Sequence, residues 1–273
     1  MTNIRPAQVA GFFYPADPDK LSEEINRMLD ISGTQDKVEN IFGIISPHAG
    51  YTYSGKTAAY SYNQIKGKSY KRVVIISPSH AEYFPGVSIF DGEAYETPFG
   101  TLEVDKKFAE ELVGDSKQIF IGSDGHRREH ALEVQLPFLQ TVLKDFKIVP
   151  IVMGDQNRVY IDELAKNLAK SVDEGTLVVA SSDLSHHHTK AEANRLDSIV
   201  AERISNFDFE NLQKDLDNRK CEACGGGPVI AMMKAAALKH KDQSSVLHRS
   251  DSGDVTGDTK EVVGYLSAVI YGD

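Results

Sequence analysis

The sequence contains no tryptophan and only two cysteines among its 273 residues. Two cysteines are too few for a disulfide framework, and this scarcity predicts a protein of a reducing compartment. No apolar run approaches the ~20 residues that a membrane-spanning helix needs, and the first residues lack the basic start and apolar core of a signal peptide. These absences predict a cytoplasmic protein without a membrane segment.

Basic residues are also fewer than acidic residues. The chain carries 30 Lys and Arg residues against 40 Asp and Glu residues, which gives a formal net charge of -10. The phosphate groups of nucleic acids and of anionic lipids would be repelled by most of such a surface. The composition therefore predicts neither a nucleic-acid partner nor a membrane partner.

The chain contains four short apolar runs that are rich in β-branched residues. They span residues 41–45, 73–76, 148–152 and 176–180. None of them alternates with polar residues, which is typical of strands covered on both faces of a sheet. Because segments with helical periodicity lie between them, the pattern predicts a largely parallel sheet with helices on both faces.

Other segments complete the predicted fold. Helices are expected near residues 21–29, after Ser54 as an N-cap, over residues 162–170, along an apolar stripe at residues 196–204, and from about residue 228 to 239. Residues 87–101 are expected to form a hairpin or an ordered loop, and residues 262–271 a strand that closes one edge of the sheet. The prediction is a three-layer α/β/α fold with a mixed-edge sheet, in a single domain over residues 1–273.

Two of the predicted strands are followed by similar sequences, Ser-Pro-His at residues 46–48 and Ser-Pro-Ser-His at residues 77–80. Loops at the carboxyl ends of parallel strands line the ligand-binding crevice of open α/β sheets, and proline makes each exit rigid. A pair of imidazoles from neighbouring strand ends is a natural half of a metal site. The pattern favours His48 and His80 as metal ligands over loop histidines that cap backbone carbonyls.

A third polar cluster, Ser-Ser-Asp-Leu-Ser-His-His-His, occupies residues 181–188. Asp183 and His186 are close enough in sequence to meet across a tight turn, where the carboxylate would orient the imidazole for proton transfer. A Ser-His-Asp hydrolase is disfavoured because no G-x-S-x-G elbow presents a nucleophile. The alternative is a helix start with exposed histidines, which we favour for His187 and His188.

The two cysteines lie three residues apart, at Cys221 and Cys224, and three glycines and Pro228 follow them. A single C-x-x-C is weak support for a structural zinc site, which requires four ligands. Pro228 predicts a helix start, and a thiol at a helix N-terminus has a lowered pKa that favours metal binding or nucleophilic chemistry. The alternative is that Cys224, and more so Cys221, only packs as a small buried residue.

Residues 126–130, His-Arg-Arg-Glu-His, match the H-x-x-E-H pattern of some zinc proteases. That chemistry requires both histidines on one helical face, but the preceding glycine-containing turn predicts that His126 lies outside the helix. His130 and Glu133 are neighbours at i, i+3 of the predicted helix. They either face the pocket or form a structural hydrogen-bonded pair.

Taken together, these motifs resemble the Memo family, also called the B component of the AmmeMemoRadiSam set, over nearly the whole chain. The matching motifs, in chain order, are RP (5–6), AGFFYP (10–15), SPHAGY (46–51), SPSH (77–80), EHALE (129–133), QLPF (135–138), SSDLSH (181–186), CG (224–225) and VVGY (262–265). The resemblance implies a fold similar to that of the LigB-type class III extradiol dioxygenases. It also implies a pathway shared with a radical-SAM protein.

Those dioxygenases hold non-haem Fe(II) by two histidines and a glutamate, and another histidine serves as acid and base. The resemblance implies that His48 and His80 are the histidine ligands and that His186 is the acid/base. Cys224 falls where the dioxygenases have their glutamate. A thiolate there admits copper or zinc as competitors to Fe(II), and Glu222 would restore a carboxylate if its loop turned inward.

Two functional hypotheses follow. The leading one is a metal-dependent redox enzyme similar to extradiol dioxygenases, which acts on an unidentified small molecule. The alternative is a non-catalytic metal- or peptide-binding adaptor that retains the dioxygenase-like fold. In the enzyme hypothesis Tyr51 and Tyr53 either line the substrate pocket, together with His130 and Glu133, or pack as covering residues.

Overall fold

A computed structural model of the chain describes residues 3–33 and 36–273. The strands in this part of the chain are β1 (Ile4–Arg5), β2 (Ile41–Ser46), β3 (Arg72–Pro78), β4 (Val87–Phe90), β5 (Ala94–Thr97), β6 (Gly100–Glu103), β7 (Ile119–Gly122), β8 (Lys147–Met153), β9 (Thr176–Ser181), β10 (His186–His188), β11 (Gln243–Asp251) and β12 (Val262–Tyr271). The helices are α1 (Pro18–Ser32), α2 (Lys56–Ile65), α3 (Lys106–Val113), α4 (Leu136–Val142), α5 (Arg158–Ser171), α6 (Lys190–Ser205), α7 (Phe209–Asp217), α8 (Gly226–Leu238) and α9 (Gly253–Thr256).

The four apolar runs form the centre of one sheet, as predicted. Its strand order is β10-β12-β2-β9-β3-β8-β4-β7, with β11 paired to β12. The four central strands β2, β9, β3 and β8 are parallel to one another. Their residues are buried on both faces, which explains why the runs lack polar alternation.

Both ends of the sheet are mixed. β12 runs antiparallel to β2 on one side, and β4 runs antiparallel to β8 on the other. The expectation that residues 262–271 close an edge was wrong, because β11 pairs along the outer side of β12. Residues 87–101 were predicted in part: β5 and β6 form a hairpin that joins β1 in a small separate sheet, but β4 belongs to the main sheet.

Helices cover both faces of the sheet and complete the three predicted layers. One apolar cluster joins one face of the central strands to α3, α5, α6, α7 and α8. The other cluster joins the opposite face to α1, α2 and α4. Alternate residues of a strand serve the two clusters, as Ile44 and Ile45 of β2 do. No helix in the described ranges is long and apolar enough to cross a membrane.

The start of α2 differs from the prediction. Ser54 lies in a π-helical turn (Tyr51–Gly55) that precedes the helix. Its hydroxyl donates to the carbonyl oxygen of Ala49 at 3.0 Å, so Ser54 does not cap α2. The turn lies directly after the loop that carries His48, and it fixes how the chain leaves the carboxyl edge of the sheet.

Candidate functional site

The carboxyl edge of the central strands gathers three of the polar residues singled out above. His48 follows β2, His80 follows β3 and Asp183 follows β9. Because β9 lies between β2 and β3 in the sheet, the two histidines come from the strands on either side of Asp183. The centres of the His48 and His80 rings are 5.1 Å apart.

Cys224 joins the two histidines from the loop before α8. One donor atom from each of His48, His80 and Cys224 lies within 4.8 Å of the others, and Cys224 Sγ is 3.1 Å from His48 Nε2. Gly225 permits this approach, because a Cβ atom there would lie 2.1 Å from the carbonyl oxygen of Ser181. Any other residue at position 225 would push the cysteine loop away from β9.

Ser181 sets the orientation of His48, which is 1% exposed. Ser181 Oγ donates to the carbonyl oxygen of Ala131 at 2.7 Å, and accepts from Gln135 Nε2 at 2.8 Å. Its one proton is therefore used, so His48 Nδ1 must donate to it across 2.9 Å. This leaves a lone pair on His48 Nε2, the nitrogen that faces Cys224. Burial, followed by the charges of His80 and His130, holds the pKa of His48 well below its usual value.

Glu129 has the corresponding role for His80. Its buried carboxylate lies 2.9 Å from His80 Nδ1 and accepts from the His80 backbone N–H at 2.6 Å. Burial alone would lower the pKa of His80, but the hydrogen bond and charge of Glu129 outweigh it and raise the pKa. Glu129 thus holds the proton on Nδ1 and leaves Nε2 for a ligand, as second partners of metal-binding histidines commonly do.

Asp183 acts on His48 and not on His186. Its carboxylate accepts from the backbone N–H of His48 at 2.7 Å, and burial raises its pKa to about 7. His186 Nδ1 instead lies 2.8 Å from the carbonyl oxygen of Leu184. The expectation that Asp183 orients the His186 ring was therefore wrong, because the turn brings a backbone carbonyl to that nitrogen.

His186 lies beside the cluster. It is close enough for its charge to lower the pKa of His48. A cavity of about 470 Å³ is lined by His186 and Cys224 together with Gln156, Leu184 and Glu222. A small molecule in this cavity would meet the imidazole and the thiol at the same time.

The neighbours of Cys224 have other roles. Cys221 is 1% exposed and packs in the core, as its alternative interpretation expected. Glu222 accepts from His188 Nε2 at 3.0 Å through either carboxylate oxygen and from the His186 backbone N–H at 3.5 Å, so its carboxylate is engaged by this segment. Glu222 is therefore not part of the group of donor atoms that Cys224 completes.

The prediction of a lowered pKa for Cys224 was wrong. Burial raises the pKa of the thiol, and the charge of Asp183 adds to this effect. The helix that follows begins at Gly226, so the proline does lie in its first turn as expected. With the protein groups alone, desolvation outweighs the helix terminus, and a bound cation would be needed to favour the thiolate.

The pair His130 and Glu133 is divided between two networks. The His130 ring lies 4.8 Å from the His80 ring and 5.7 Å from the His48 ring, centre to centre. Glu133 is fully buried and forms an ion pair with Arg5 at 2.7 Å. Of the two alternatives expected for this pair, the structural one is closer for Glu133, with Arg5 in place of His130 as its partner.

The helix expected around these residues also begins later. α4 starts at Leu136 after a single 3-10 turn (Glu133–Gln135), so His130 lies before the helix. His126 is buried and its Nδ1 lies 2.7 Å from the Tyr95 hydroxyl. The protease pattern at residues 126–130 therefore does not place two histidines on one helical face.

Tyr51 and Tyr53 line a different cavity. That cavity measures about 560 Å³ and has no lining residue in common with the cavity at Cys224. Tyr51 is also a covering residue, because it is buried and its hydroxyl donates to the carbonyl oxygen of Val134 at 2.7 Å. Of the two roles expected for these tyrosines, the covering role fits Tyr51, and neither tyrosine lines the cavity at Cys224.

The donor set suits a transition metal. Two imidazole nitrogens and one sulfur at this spacing approach what a single ion with bonds of ~2.0–2.3 Å requires. Three protein ligands leave a coordination position open, which is typical of catalytic sites. His48, His80 and Cys224 are the residues that would hold the ion.

Sequence comparisons assign the chain to a family. A family model described as Memo-like protein matches residues 5–269. The chain belongs to the Memo-like family. It is 37% identical over 279 residues to a MEMO1 family protein of Methanobrevibacter smithii, with 97% of this chain and 99% of that protein covered. It is 38% identical over 272 residues to one of Nitrosopumilus maritimus, with 96% and 98% covered.

A solved structure supports the fold of this Memo-like chain. The crystal structure of uncharacterized protein JW3007 from Escherichia coli K12 is similar, with a TM-score of 0.54 and 14% sequence identity. The similarity covers 84% of this chain and 98% of that chain. At this identity it concerns the fold alone.

Sequence reasoning missed three residues that hold the histidines in place. Glu129, Ser181 and Gln135 lie in the motifs quoted above, but no spacing rule links them to their partners. Glu129 is 49 positions from His80, and Ser181 is 133 positions from His48. The only sequence signal for Glu129 was that the motif at residues 129–133 contains two glutamates, of which Glu133 was singled out.

Proposed function

We propose that this Memo-like protein is a metal-dependent redox enzyme that acts on a small molecule, with His48, His80 and Cys224 as the metal ligands. One observation carries the proposal: three donor atoms from three separate loops lie within 4.8 Å of one another. Ser181 and Glu129 support it, because each leaves the Nε2 atom of one histidine free.

Fe(II) is the favoured metal. The resemblance to extradiol dioxygenases favours iron, whereas the thiolate of Cys224 also suits copper or zinc. A redox ion bound here would supply electron transfer and activation of O₂ or substrate. The chain's own part is to present the Nε2 atoms of two imidazoles and the sulfur of Cys224, whose thiolate a bound cation would favour, and to leave a coordination position open.

His186 is proposed to move the proton. Its Nδ1 is engaged by the Leu184 carbonyl, so Nε2 is the nitrogen that would exchange a proton with the substrate. It lines the same cavity as Cys224, which supports a substrate held between the two side chains. Burial lowers the pKa of His186, which favours its neutral form and hence its use as a base near neutral pH.

Metal content tests the ligand set. The protein is purified without oxygen, loaded with Fe(II), desalted and analysed for bound iron. We expect about one equivalent in the wild type and a large loss in His48→Ala, His80→Ala and Cys224→Ala. Cys221→Ala is the matched control, because this cysteine lies three positions away in the core. Stoichiometric iron in Cys224→Ala, or none in the wild type, would contradict the proposal.

Oxygen uptake separates an enzyme from an adaptor. The iron-loaded protein is incubated with a panel of catechols in an oxygen electrode, and His186→Ala is compared with His187→Ala. The enzyme proposal expects uptake that His186→Ala abolishes at unchanged iron content, while His187→Ala retains it. Tight iron binding without uptake by the wild type would favour the adaptor instead.

A further inference from the structure

The cavity that Tyr51 and Tyr53 line is separate from the histidine cluster. It measures about 560 Å³ and is bounded by α1, the π-helical turn, the start of α2, the end of β11 and α9. None of His48, His80, Cys224 and His186 lines it. The proposed redox chemistry therefore makes no use of this space.

Charges of both signs line the cavity without pairing across it. Glu24 and Arg27 stand one turn apart on α1, and Lys56 begins α2. Within residues 3–33 and 36–273, none of these three side chains forms an ion pair or a hydrogen bond. Glu24 is half-buried as a residue, and its carboxylate has no partner among the described residues.

The other charged residues of the lining are already engaged. Asp251 and Asp254 both bind Lys190, at 2.9 and 2.6 Å. The guanidinium group of Arg249 donates to Ser198 Oγ at 3.1 Å, on the side of α6. The groups available to a ligand are thus two cations and one carboxylate.

A fixed polar cluster forms another part of the wall. Thr57 is 1% exposed, and its hydroxyl lies 2.6 Å from Ser250 Oγ and 3.0 Å from His248 Nδ1. Tyr60 stacks on the His248 ring with a centre separation of 4.3 Å and an interplanar angle of 5°. These contacts tie α2 to β11, so this wall of the cavity is rigid.

Apolar side chains complete the lining. Ile31 and Val255 are each 51% exposed and Tyr53 is 44% exposed, and all three line the cavity together with the buried Met28. Large apolar side chains gathered around one concave space are typical of a binding site. A ligand that covered them would bury apolar surface beside the unpaired charges.

We propose that this cavity binds a small zwitterion with an apolar side chain, of the chemical class of a free amino acid. Its carboxylate would pair with Arg27 and Lys56, and its ammonium group would pair with Glu24. Its apolar part would cover Met28 and Tyr53. The zwitterion is preferred to a simple anion because an anion would bring a second negative charge beside Glu24 with no ammonium group to pair with it.

Calorimetric titration with three probes tests the charge pattern. L-Phenylalanine carries both charges, 3-phenylpropionate lacks the ammonium group, and phenethylamine lacks the carboxylate. We expect saturable binding of L-phenylalanine, and binding of each analogue weaker by at least about tenfold. Absence of saturable binding by L-phenylalanine, or equal affinity for all three probes, would overturn the proposal.

Variants assign the two charges. Glu24→Gln is expected to weaken the binding of L-phenylalanine by about tenfold or more and to leave the binding of 3-phenylpropionate unchanged. Arg27→Gln is expected to weaken the binding of both probes. Glu23→Gln is the matched control, because Glu23 is exposed on α1 and does not line the cavity. Wild-type affinity in Glu24→Gln would overturn the assignment. Cys224→Ala should bind the probe like the wild type, which separates this inference from the proposed metal site.

Discussion

Two buried polar networks meet in residues 126–135, and they use the same residue types differently. In one, Glu129 engages His80, while Ser181 engages His48. In the other, Glu133 accepts from Arg5 at 2.7 Å, from the Tyr14 hydroxyl at 2.8 Å and from two backbone N–H groups near the N-terminus. Both glutamates are about 1% exposed or less.

The two networks differ in whether any donor atoms remain without a hydrogen-bond partner. The network around Glu133 consumes its polar atoms and ties the N-terminal segment to the rest of the chain. In the other network, Glu129 and Ser181 each engage the Nδ1 atom of one imidazole and leave its Nε2 atom unused, and the Nε2 atom of His48 faces the thiol of Cys224. Burial of a carboxylate within a motif is therefore common to both networks, whereas unused donor atoms occur only in the network of the histidines.

The largest expected effect is on stability, at Glu133. Glu133→Ala would leave the Arg5 guanidinium buried without its carboxylate, which typically costs about 3–5 kcal/mol. Urea unfolding followed by circular dichroism measures the free energy of unfolding. Glu23→Ala, an exposed change on α1, should cost less than about 1 kcal/mol. A loss below about 1 kcal/mol in Glu133→Ala would refute the structural role of this network.

The pH dependence of stability tests the network around Glu133 at a second residue, His126, whose carbonyl oxygen accepts from Arg5. Burial lowers the pKa of His126 to about 3, whereas the unfolded chain protonates it near ~6.5. Between these values the unfolded state binds one more proton, so the free energy of unfolding falls as the pH falls.

The change due to His126 is expected to reach about 1.4 kcal/mol per pH unit. The slope of unfolding free energy against pH should therefore be shallower in His126→Gln than in the wild type between pH ~4 and ~6. Urea titrations at several pH values measure both slopes. Parallel slopes would mean that His126 is protonated in the folded protein.

A smaller effect is expected at Glu129, and it should appear in metal binding. Glu129→Gln would weaken the hold on His80 Nδ1, which typically costs ~10–100-fold in metal affinity. Competition with a chromophoric chelator measures this affinity. Glu222→Gln serves as the control, because Glu222 engages His188. The metal affinity of this variant should equal that of the wild type. Equal losses in the two variants would remove the distinction drawn for Glu129.

The central sheet could be predicted because its signal is local. The runs at residues 41–45 and 148–152 are short, rich in β-branched residues and without polar alternation, which is typical of strands buried on both faces. The order of strands at the mixed edges depends on pairing between β11 and β12, which a local pattern does not reveal. This is why residues 262–271 were identified as a strand but wrongly expected to close an edge of the sheet.

The site residues that lie in the turns directly after a strand could be predicted from the sequence. His48 and His80 leave β2 and β3 by similar turns, and the carboxyl edge of a parallel sheet brings such turns together. The partners of these histidines were not predictable, because Glu129 reaches His80 across 49 positions of the chain. The role of Tyr51 stayed open for a local reason, since the π-helical turn that holds it is not evident from the residues alone.

The most direct test of the account is the absorption spectrum of the cobalt-substituted protein. If Cys224 Sγ and the two Nε2 atoms bind one ion, Co²⁺ should give a strong thiolate-to-cobalt charge-transfer band in the near ultraviolet at about one equivalent. The band should vanish in Cys224→Ser and persist in Cys221→Ala. An unchanged band in Cys224→Ser, or its absence from the wild type at saturating Co²⁺, would contradict the three-ligand site.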